Sequence, residues 1–102
     1  MIGMLRIKNM GVKMKKIISR SIDYLINASD KDVFIQISAL SRVQDSIREI
    51  YNELEYRDNS DFQEKINDIY AISVFVEHGH FSAEVNKYIF ECIINRLKQL
   101  VI

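Results

Sequence analysis

Not one proline interrupts these 102 residues, and the only glycines stand at positions 3, 11 and 79. Proline removes a backbone donor and clashes with the preceding helical turn, and glycine inside a helix costs about 1 kcal/mol relative to alanine. A chain with almost none of either after residue 11 favours long helices. Its length suits one domain with one modest core. Apolar residues make up 48% and charged residues 27%, with a formal net charge of zero. That balance argues against a disordered chain and against a generally nucleic-acid-binding one.

The apolar spacing predicts four helices. From Lys15, the residues Ile18, Ile22, Leu25 and Ile26 recur at intervals that share a helix face. "NASDKD" breaks that pattern. Ser29 or Asp30 is expected to cap the next helix, with Asp32 in its first turn. The second helix is expected from about Asp32 to Tyr56. Val33, Ile37, Leu40, Val43, Ile47, Ile50 and Leu54 form its seven-residue repeat, and Gln36, Arg42, Asp45 and Arg48 lie on its solvated face. Ser60 and Gln63 fit a capping box that opens a third helix from Asp61 to about His78. Its face is Phe62, Ile66, Ile69, Tyr70, Ser73 and Val76, widened by Ile72, Val74 and Phe75. "IYAISVFV" also suits a strand, but helical neighbours and the lack of a partner strand favour helix. The fourth helix carries Val85, Tyr88, Ile89, Cys92, Ile93, Leu97 and Leu100 as its stripe. Four amphipathic helices joined by short corners predict an all-α, antiparallel, up-down-up-down four-helix bundle.

Charge is polarised along the chain. The first 22 residues hold six bases and no acid, and all fourteen acids follow. Such a start is either a solvated tail with a basic first turn or a contact with anionic lipid, peripheral at the membrane, or with nucleic acid. The expected organisation is a basic, mobile leader over residues 1–13, native or an upstream extension, and a bundle domain over 14–102. No window is apolar enough for a transmembrane helix, and no signal peptide is evident. A cytoplasmic protein is the simplest reading.

"VEHGHFSAEVNKY", residues 76–88, gathers Glu77, His78, His80 and Glu84 within eight positions. As a corner, it reads well. Gly79 would supply a left-handed C-cap, and Ser82 would cap the fourth helix with Glu84 in its first turn. As a metal site, it lacks a histidine pair one turn apart. No metal or cofactor is expected. Cys92, the only cysteine, excludes an internal disulfide and is expected as a buried, inert thiol on its stripe. The sequence has no glycine-rich phosphate loop and no nucleophile elbow. A small helical mutase would need inward-facing cations, whereas Arg42, Arg48 and Arg96 fall mainly on outward faces. The expected activity is therefore binding, not catalysis. The five tyrosines suit either a core rim or a protein interface.

"MKKIISRSIDYLINASDKD", a long helix, a tyrosine-containing third helix and then "HFSAEVNKYIFECIINRL" together resemble the immunity proteins of pediocin-like (class IIa) bacteriocins, the enterocin A immunity group. The likeness covers roughly residues 14–100. Phe81, Ser82 and Glu84 match the family's turn of aromatic, hydroxyl and acid before its last helix. The resemblance implies an antiparallel four-helix bundle in the cytoplasm. It also implies protection of the producing cell, by binding the bacteriocin-engaged mannose phosphotransferase permease at the inner face of the membrane. On that reading the candidate partner-binding residues are Glu77, His78, His80, Lys87 and Tyr88, in a monomer or weak dimer. Two departures stand out. Many relatives extend past the fourth helix in a tail that contributes to recognition, and they tend to begin near the equivalent of Met14. The cognate bacteriocin stays open. The rival reading is a small helical adaptor, anti-regulator or antitoxin with a soluble protein partner.

Overall fold

The computed structural model describes residues 2–53 and 60–100, with side chains described over 12–52 and 61–100. Four helices follow one another: α1 (Ile2–Ala28), α2 (Val33–Glu53), α3 (Ser60–His78) and α4 (Ala83–Leu100). They form an antiparallel bundle in which α1 packs on α2 and α4, α3 packs on the same two helices, and α2 meets α4 across the short diagonal. The α1 helix begins at Ile2, upstream of the residue where its apolar periodicity becomes clear. Residues 69–76, β-branched and aromatic as they are, lie within α3. Tertiary packing overrides their strand propensity.

Each helix presents a narrow seam to the core. In α1 it is Met14, Ile18, Ser21, Leu25 and Ala28, with Ile17 beside it. Ile26, expected on this face, is turned outward. In α2 the seam is Gln36, Leu40, Val43, Ile47 and Ile50, flanked by Ala39. In α3 it is Ile66, Ile69, Ser73 and Val76. In α4 it is Asn86, Phe90, Ile93 and Leu97, with Ile94 beside them. Every seam steps by three and four residues. Ser21 and Ser73 satisfy their buried hydroxyls within their own helices, donating to the carbonyls of Ile17 and Tyr70 at 3.1 and 2.7 Å.

Several expectations are corrected. Gln36 is wholly buried rather than solvated. Val85, Tyr88 and Cys92 are exposed, because α4 turns Asn86 and Phe90 inward in their place. Cys92 is thus a surface thiol. The cap of α2 is Asp32, whose Oδ1 accepts from the Ile35 amide at 3.0 Å and whose carbonyl receives the Gln36 amide. Ser29 and Asp30 belong to the preceding turn. Phe75 widens α3's apolar sector onto the surface, not into the core. Leu54, Tyr56 and the side chain of Ser60, the first half of the expected capping box, lie outside the described residues.

Leu40→Ala should cost about 2–5 kcal/mol in urea unfolding, because it opens a cavity at the bundle centre. Phe34→Ala should stay within about 0.5 kcal/mol, since that ring is 83% exposed. Comparable losses at both positions would contradict the inward and outward faces of α2.

Candidate functional site

The two described corners, residues 29–32 and 79–82, sit together at one end of the bundle. A buried amide pair holds them there. Gln36 Nε2 donates to the carbonyl of Ser29 at 3.1 Å and to that of Ala83 at 2.9 Å. Asn86 Nδ2 donates to Gln36 Oε1 at 3.0 Å. One side chain on α2 therefore binds the end of α1, the start of α4 and the first turn of α4. An ion pair spans the same gap on the surface, with Lys87 Nζ 2.6 Å from Asp30 Oδ1. The hydrogen bond from Lys87, aided by its charge, holds the Asp30 carboxyl below the usual carboxylate range, and Asp30 in turn raises the Lys87 ammonium.

The α3–α4 corner is built from local chemistry. The Gly79 amide donates to the Val76 carbonyl at 3.3 Å, tightening the last turn of α3. The left-handed residue is His80, at φ 54°, and Gly79 is not in that region. This corrects the expected glycine C-cap. Gly79 serves by its lack of a side chain, because a Cβ there would overlap the Phe81 ring. That ring folds back over Gly79 onto Phe75, with centroids 5.3 Å apart and planes at 44°. Ser82 caps α4 as expected: its Oγ accepts from the Val85 amide at 3.2 Å and its carbonyl from the Asn86 amide at 2.9 Å.

The five candidate residues divide into two sets. Glu77 turns toward α2 and accepts from Gln44 Nε2 at 3.1 Å. Lys87 turns to the α1–α2 corner, toward Asp30. His78, His80 and Tyr88 remain exposed. His78 Nε2 lies 3.7 Å from Glu77 Oε1, too long for a hydrogen bond. The structure adds neighbours that the sequence did not assign to this site: Asp30, Gln36 and Asn86. Among the described residues, no group of three or more His, Cys, Asp and Glu gathers as metal ligands. Among them, too, no helix is long and apolar enough to cross a membrane.

A shallow groove of ≈ 180 Å³ lies on the α1–α2 face, lined by Arg20, Tyr24, Arg42, Asp45, Ser46 and Glu49. Its charges are already engaged. Arg20 pairs with Glu49 at 3.5 Å, Arg48 takes Asp45 at 2.8 Å, and the Arg42 guanidinium sits 5.4 Å from the Tyr24 ring centroid. Arg42, Arg48 and Arg96 are all exposed, as expected. Compared with family models, with curated proteins and with solved structures, the chain gives no match.

Two expectations follow for this corner. His80→Gly should raise stability by up to about 1 kcal/mol, because glycine adopts the left-handed conformation without a Cβ clash. A loss of stability would contradict the assigned strain. The Lys87–Asp30 pair should make its contribution above the carboxylate's unfolded pKa and below the lysine's. That contribution is lost as pH falls through the lowered Asp30 value, or rises through the raised Lys87 value. Lys87→Ala should return the Asp30 titration to the ordinary carboxylate range, read by carboxyl-carbon NMR. An unchanged titration would contradict the ion pair.

Proposed function

We propose that this chain is an immunity protein of the pediocin-like bacteriocin type, which acts by binding and not by catalysis. The observation that carries the reading is the α3–α4 corner. Phe81, Ser82 and Glu84, the residues of the family resemblance, form there an aromatic fold-back, a helix cap and a first-turn acid. The antiparallel four-helix bundle is the scaffold that the resemblance implies. The protein would work in the cytoplasm, at the inner face of the membrane, on the permease that the bacteriocin has engaged. His78, His80 and Tyr88 are the exposed members of the candidate surface, and Lys87 contributes from its pair with Asp30. Contact of the basic N-terminal stretch with anionic lipid belongs to the same proposal.

A second reading draws on the exposed apolar side chains near both corners: an adaptor or antitoxin that holds one soluble protein partner. The two differ in the condition under which a partner is held. Immunity predicts association with a membrane permease only in bacteriocin-treated cells, whereas the rival predicts a constitutive soluble complex.

The test is a protection assay in a bacteriocin-sensitive host expressing the full chain, challenged with a panel of pediocin-like peptides. The expected result is protection against some peptides and not others. The triple variant His78→Ala, His80→Ala, Lys87→Ala should lose that protection while keeping its helical circular dichroism. Full protection by the triple variant would sink the site assignment. No protection against any peptide, with folded protein present, would favour the soluble-partner reading.

A further inference from the structure

Of the seven large apolar side chains exposed among the described residues, six belong to one end of the molecule. Ile26 lies in the last turn of α1, Phe34 and Ile35 in the first turn of α2, Phe75 in the last turn of α3, and Val85 and Tyr88 in the first two turns of α4. The bonds from Gln36 to Ser29 and Ala83 put all these turns at the same end. Phe34 is 83% exposed and Tyr88 68%. A fold that leaves this much large apolar surface at one pole, while burying Gln36 and Asn86 just beneath it, has not been arranged for burial alone.

The charge of that pole restricts what covers it. Residues 23–35 and 75–91 hold six acids against two lysines. Lys87 and Asp30 pair with each other, which leaves five acids against one lysine. An anionic bilayer would meet this acid excess as repulsion, and a second copy of the chain would bring the same excess against itself. A protein segment that pairs large apolar side chains with lysine or arginine meets both features, with aromatic anchors at the centre and opposite charge at the rim.

We infer that the corner end of the bundle docks a cationic, amphipathic segment of a protein partner. The inference rests on the reading of this chain as a binding protein, and it names the chemistry of the partner at that surface. The apolar pole supplies most of the affinity, and the acids select against anionic competitors.

The test is a titration of the isotope-labelled full chain with a synthetic amphipathic peptide of leucine and lysine, and with a leucine–glutamate counterpart of the same length. The cationic peptide should bind, with amide shift changes centred on Ile26, Phe34, Phe75 and Val85. The double variant Phe34→Ser, Val85→Ser, altered only at exposed positions, should bind it about tenfold more weakly. Equal binding of the anionic peptide, shift changes centred elsewhere, or no binding at all would overturn the proposal. So would phosphatidylglycerol vesicles perturbing the same residues, or self-association that the double variant abolishes. The same double variant in the protection assay separates the two readings. Lost peptide binding with full protection overturns this docking surface and leaves immunity standing. Retained peptide binding by the native chain, without protection against any bacteriocin, overturns immunity alone.

Discussion

The Gln36 amide is the point on which the arrangement of this bundle turns. It lies in the core where α2 and α4 meet, and it bonds to Ser29, Ala83 and Asn86 at once. A primary amide buried without partners costs about 1–3 kcal/mol. Only one vertical register of α2 against α4 gives Gln36 all three bonds. A one-turn slip would leave its amide and the Ser29 carbonyl unpaired, so slipped bundles are disfavoured. Single polar residues on helical seams act in this way, fixing register at some cost to stability. The cost is visible here, since Asn86 Oδ1 is buried and accepts no hydrogen bond from the described residues.

That register determines what the corner end presents. With α2 and α4 pinned, Asp32 and Ser82 cap their helices side by side, and Lys87 comes within reach of Asp30. Asn86 faces inward, so its neighbours Val85, Lys87 and Tyr88 are turned toward solvent. On α3, the fold-back of Phe81 over Gly79 onto Phe75 leaves an aromatic surface beside the exposed His78 and His80. The proposed binding surface is therefore a consequence of the core and not an addition to it.

Helix number, order and most of the α1, α2 and α3 core were legible because a 3.6-residue period leaves a strong trace in Ile, Leu and Val. The register of α4 was not. Its apolar residues fall on two faces, and choosing only apolar positions selects Val85, Tyr88 and Cys92, which are exposed. Admitting one polar residue gives the observed seam, Asn86, Phe90, Ile93 and Leu97, stepping evenly by four, three and four. The same substitution of Gln36 for Ile37 gives the seam of α2. The signal was present in the spacing, but it lost to the rule that polar residues face water. The α3–α4 corner was half legible. Ser82 reads as a cap from its own chemistry, whereas it is His80 and not Gly79 that takes the left-handed turn, and Gly79 makes room for the Phe81 ring instead. Glu77, His78, His80, Lys87 and Tyr88 were recognisable as a corner, but not the division that sends Glu77 to Gln44 and Lys87 to Asp30.

The most direct test of this account is a double-mutant cycle on Gln36 and Asn86, read by urea unfolding. Gln36→Leu alone should cost about 1–3 kcal/mol, because it leaves the buried Asn86 amide and the Ser29 carbonyl without their partner. Asn86→Leu alone should also destabilise. The double variant should lose clearly less than the sum of the two, with a coupling of about 1 kcal/mol or more. Additive losses would show that the two amides act independently, and would contradict a bundle whose register and corner end depend on their contact.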